Sequence, residues 1–88
     1  MKAIITVVGK DKTGIVAGVS TKIAELGLNI DDISQTVLDK YFTMMAVVSS
    51  DQKQDFTTLR NEFEVFGQTL NVKINIQSAV IFDAMYNI

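Results

Sequence analysis

An α+β sandwich of order β-α-β-β-α-β, closed by a short C-terminal helix, is the fold class this sequence predicts, and three observations carry it. Two stretches, Lys2 to Val8 and Tyr41 to Ser50, are apolar on both alternate sets, as central buried strands are. Two longer stretches carry apolar residues at helical spacing. Asp39-Lys40 joins two strand-like runs, which predicts a hairpin.

The elements follow in order. The first strand, "KAIITVV", sets Ala3, Ile5 and Val7 on one side and Ile4, Thr6 and Val8 on the other. Its β-branched residues suit a pleated backbone. After the loop "GKDKT", Ile15, Val19, Ile23 and Leu26 fall at spacings of four, four and three, a helix with one buried stripe. Asp11 or Thr13 is expected to cap its start, and Gly27 to stop its end. "NIDDISQTVL" reads as a strand with Ile33 and Val37 on one face. Ile30 is out of phase with them, which predicts a bulge near Asp31 and Asp32. Beyond the turn, "YFTMMAVVSS" sets Phe42, Met44, Ala46 and Val48 against Tyr41, Met45 and Val47.

Phe56, Leu59, Phe63, Phe66 and Leu70 mark the second helix. Ser50 or Asp51 is the expected cap, and Asp55 adds negative charge near the start, where the helix dipole favours it. "NVKINIQ" alternates Val72, Ile74 and Ile76 with Lys73, Asn75 and Gln77. One buried and one wet face suits an edge strand. Ser78 can cap a last amphipathic helix carrying Ile81, Phe82, Met85 and Ile88.

Right-handed crossovers make this order a ferredoxin-like sandwich. An antiparallel four-stranded sheet carries both long helices on one face, with the first and third strands central. Residues 1–77 form the domain. Residues 78–88 form a helix packed on the same domain or on a dimer partner. The sheet face away from the helices then exposes Tyr41, Met45 and Val47 with one set from the first strand. A bare apolar face of this kind calls for cover by the last helix, a second subunit or both.

Composition narrows the function. The 88 residues suit one small domain, and 48% hydrophobic content is too high for disorder. No apolar run reaches the ~18 residues of a membrane span. The first apolar run is broken by charge too soon for a secretory signal. Cysteine is absent, so disulfides and thiolate chemistry are excluded, and a cytoplasmic location is expected. The net charge is −2, and the eight basic residues are scattered, with only Lys10 and Lys12 close together. Nucleic-acid binding needs clustered positive charge, so none is expected. Histidine is absent too, which removes the usual general base and the usual zinc ligands. No catalytic residue, metal or cofactor is expected, and the chain reads as a non-enzyme.

"VVGKDKTGIV" carries the one suggestive spacing, G-x-x-x-x-G. A nucleotide-binding P-loop continues with Lys and then Ser or Thr, but Ile15 and Val16 stand there. An acylphosphatase needs an arginine in its first loop, and the sole arginine, Arg60, lies in the second helix. What remains is a set of backbone N–H groups at a helix start, which favours a carboxylate or another anion. Gly14 can equally serve only to turn the chain.

The stretch "GKDKTGIVAGVSTKIAELGLNIDDISQ" resembles the opening of an ACT domain. That pattern is an acidic residue, two positions, Gly, an apolar pair, a helix, Gly, then Asn-Ile heading the second strand. Asp11, Gly14, Ile15, Val16, Leu26, Gly27, Asn29 and Ile30 fit it, and the element order extends the likeness over residues 1–77. The chain most resembles single-domain ACT proteins related to glycine-cleavage regulators. The resemblance implies a regulatory module that binds an amino acid or similar metabolite, often between subunits of a homodimer. It implies ligand contacts from Asp11, Lys12, Gly14 and Ile15, and from Asn29 and Ile30. It also implies a separate protein partner, or a sensor acting alone. A protein-interaction module with no small ligand is the alternative, and an acylphosphatase-like enzyme ranks third.

Overall fold

Seven elements succeed one another in the computed structural model, which describes residues 1–10 and 14–86, with side chains up to residue 84. They are β1 (Lys2–Gly9), α1 (Ile15–Glu25), β2 (Asn29–Leu38), β3 (Tyr41–Ser49), α2 (Phe56–Leu70), β4 (Lys73–Ser78) and α3 (Ala79–Tyr86). The sheet order is β2-β3-β1-β4 with every neighbouring pair antiparallel. The two strands that are apolar on both sides occupy the centre, as their composition requires. Ile5 and Val7 of β1, Met44 and Val48 of β3 and Ile76 of β4 pack under Val19 and Ile23 of α1 and Phe63 of α2. Both long helices therefore cover one face. Lys22 of α1 ties them at the surface, 3.0 Å from Glu62 and 5.7 Å from the centre of the Phe66 ring.

The predicted bulge is present. The β2–β3 register shifts between Ile30 and Asp32, so Ile30 lies opposite Val48 while Ile33 lies opposite Ala46. Directly paired residues share a face. The extra residue thus brings Ile30 into phase with Ile33 and Val37.

The helix starts bear on two expectations. Gly14 occupies the N-cap position of α1, and Asp11 and Thr13, the expected caps, lie outside the described residues. Asp55 caps α2: it is extended, at φ −90°, and its carboxylate accepts from the Thr57 N–H and the Thr58 hydroxyl, each at 3.0 Å. Ser50 is instead buried, and its hydroxyl accepts from the Gln52 N–H at 3.1 Å. Non-helical residues 53–55 separate it from the helix, so it cannot reach the first turn. Gly27, at φ 76°, ends α1 as expected.

All ten residues of β2, at the edge of the sheet, are exposed, Ile33 and Val37 included. The Ser78 hydroxyl accepts from the Ile81 N–H, at 3.2 Å, as expected of a cap, and Ile81 is 54% exposed. Helix α3 lies against β1 and β4. The Met85 and Ile88 side chains fall outside the described residues. No helix is long and apolar enough to cross a membrane among the described residues.

Candidate functional site

Gly14 stands at φ 75° and ψ −7°, a left-handed conformation that glycine adopts without strain. A Cβ built there would meet none of the described residues within 4 Å. Helical bonding begins with the Gly18 N–H donating to the Gly14 carbonyl at 2.9 Å. The N–H groups of Ile15, Val16 and Ala17 precede that bond in the helix, and no described side chain accepts from them. Helix-start N–H groups with no partner among the described residues coincide here with the positive end of the helix dipole, which suits a carboxylate. The Ile15 side chain is only 3% exposed, so Ile15 can offer its backbone alone. Asp11 and Lys12 lie outside the described residues.

Asn29 and Ile30 open β2, and both are exposed. The Asn29 amide has no partner among the described residues. Its neighbours are engaged with each other: the Ser49 hydroxyl donates to the Asp31 carboxylate at 3.0 Å, and the Asp32 carboxylate accepts from the Ile33 N–H at 2.9 Å. These acids stabilise the bulge, and no group of metal-ligating side chains occurs among the described residues.

The topology separates these two groups. Asn29 lies opposite Ser49, which lies opposite Lys2 at the start of β1. Gly14 follows Gly9, at the other end of β1. Seven residue steps of strand separate those ends, about 23 Å at ~3.3 Å per step. One subunit therefore brings Gly14 and Ile15 together, and Asn29 and Ile30 together, but not the two pairs. A cavity of about 590 Å³ opens near Gly9 on the β4 side, among Lys10, Gln68, Asn71 and Lys73. Sequence spacing gave no sign of it, because only the β1–β4 pairing brings Lys10 and Lys73 near each other.

A ferredoxin-like sandwich whose first helix starts at a left-handed glycine defines a class of small α+β modules. The ACT domain family model matches residues 2–77, and this chain belongs to that family. A UPF0237 protein of Streptococcus pneumoniae serotype 4 is 91% identical over 88 residues, covering 100% of both chains. A solved ACT domain protein from Streptococcus pneumoniae, 91% identical, matches with a TM-score of 0.91 over 98% of each chain. A solved protein described as a glycine cleavage system transcriptional repressor is 18% identical, with a TM-score of 0.79 over 86% of this chain and 45% of that one. That last likeness is one of fold alone.

Proposed function

We propose that this protein is a regulatory module that binds an amino acid, or a similar small metabolite, between two copies of itself and acts through a separate protein partner. The observation that carries the reading is the pair of half-sites at opposite ends of the domain, with the exposed edge strand β2 running between those ends. Strands pairing β2 to β2 antiparallel about a two-fold axis would set the head of one against the tail of the other. Asn29 and Ile30 of one subunit would then approach Gly14, Ile15, Asp11 and Lys12 of its partner. The helix-start N–H groups would bind the ligand carboxylate, and Asn29 with Asp11 would accept from its ammonium.

The exposed strand supports this arrangement. Ile30, Ile33 and Val37 are 40%, 37% and 55% exposed on one face, and their burial against a second copy is favourable at ~25 cal/mol per Å² of apolar surface. A stable contact of this kind buries about 1,200 Å² or more. Residues 78–88 belong in this reading to the same domain or its dimer partner, and the module works in the cytoplasm without catalysis of its own. Membership of the ACT domain family supports a regulatory role.

The interaction-module reading keeps one observation in its favour. Val8, Tyr41 and Met45 are 48%, 45% and 39% exposed on the sheet face away from the long helices. A thermal-shift screen against the common amino acids separates the two. A ligand at a hundredfold excess over Kd adds about 2.7 kcal/mol of stability. A shift with one or a few amino acids is the expected result. No shift with any of them at millimolar concentration favours the interaction module.

A further inference from the structure

We infer that the cavity between the ends of β1, α2 and β4 is a second site, for a small organic anion carrying two negative charges. It encloses about 590 Å³, within the ~300–1,000 Å³ typical of small-molecule pockets. Among the described residues, the ionisable groups that line it are both cations, Lys10 and Lys73, in a chain whose net charge is −2. Neither lysine has a carboxylate partner among the described residues, where the one ion pair is Lys22 with Glu62. Gln68 and Asn71 add amides, and Val8 and Val72 supply an apolar wall.

The walls are held in place. Lys73 lies opposite Val8 in the β1–β4 register, and Lys10 follows β1 directly. At Gly9 a Cβ would stand 2.5 Å from Val72 Cγ1, and at Gly67 one would stand 2.8 Å from the Val72 carbonyl oxygen. Both glycines therefore let Val72 pack tightly between β1 and α2. Asn71 takes a left-handed turn at φ 57°, and the Val72 N–H donates to the Gly67 carbonyl at 2.9 Å, which closes the helix end. A second hollow of about 340 Å³ continues from Gln68 and Lys73 to Arg60 and Glu64. The dianion belongs between Lys10 and Lys73, and the mixed charges beyond suit a polar, uncharged body. This cavity borders β4, at the opposite edge of the sheet from β2 and Asn29, and its lining does not rest on the amino-acid reading.

The shared chemistry is a dianion, supplied by a phosphate monoester or by a dicarboxylate. Amide NMR titrations of the whole protein with glycerol phosphate and with succinate, at fixed ionic strength, test it. Saturable shifts confined to residues 8–10 and 67–73 are expected with at least one probe, and the tighter probe identifies the source. Lys10→Gln and Lys73→Gln should each weaken that binding about tenfold, as loss of a charge-assisted contact does, and Lys73→Arg should restore most of it. Both lysines are exposed, so the variants should melt as the parent does. Lys73 could serve only to guard the edge strand against aggregation. Shifts that never saturate, or that survive unchanged in both Gln variants, would mean that role alone and overturn the inference.

Discussion

Gly14 combines two properties that a single substitution can pull apart. Its φ of 75° disfavours any side chain, yet a Cβ there meets none of the described residues within 4 Å. Gly14→Val should thus lower stability through backbone strain, by about 1–3 kcal/mol. If a ligand carboxylate approaches this backbone, the folded variant should also lose amino-acid binding. Chemical denaturation and calorimetry on the same sample check both. A stability loss with affinity intact would make Gly14 a turn residue only. The left-handed turn was legible from the glycine and its place between strand and helix. The exact first residue of the helix was less so, because Asp11, Thr13 and Gly14 all precede the helical stripe.

Among the elements, the bulge in β2 was readable because Ile30 falls out of phase with Ile33 and Val37, and only an inserted residue reconciles them. The start of α2 was less so. Ser50, Asp51 and Asp55 all precede the helical stripe, and the path of the chain after β3 decides among them. Asp55→Ala should cost about 0.5–2 kcal/mol, read by thermal or denaturant unfolding, and leave ligand affinity unchanged. The exposure of β2 was not legible at all. Its spacing places Ile33 and Val37 on one face, but spacing does not say what covers that face. Val37→Lys puts a charge on this open strand at a position already 55% exposed. It should leave the subunit folded and convert the proposed dimer to monomer in sedimentation experiments, since edge lysines block strand pairing. An unchanged dimer would move the contact off β2.

At the scale of the whole molecule, the order of elements and the central strands followed from which segments are apolar on both sides. The division of the candidate site did not. Gly14 and Asn29 are near each other in sequence, but the eleven residues of α1 carry the chain about 16 Å at ~1.5 Å per residue, back along the sheet. Proximity in sequence therefore becomes distance in the fold, and the two half-sites meet only if a second subunit supplies one of them. Subunit mixing tests this central claim directly. Gly14→Val and Asn29→Ala proteins are prepared separately, dissociated, mixed and allowed to reassociate, and amino-acid binding is measured by calorimetry. Each variant alone should bind weakly. In a mixed dimer one site carries both substitutions and the other carries neither, so the mixture should regain wild-type affinity at a fraction of its sites. A mixture that binds no better than its two components would contradict a site shared between subunits.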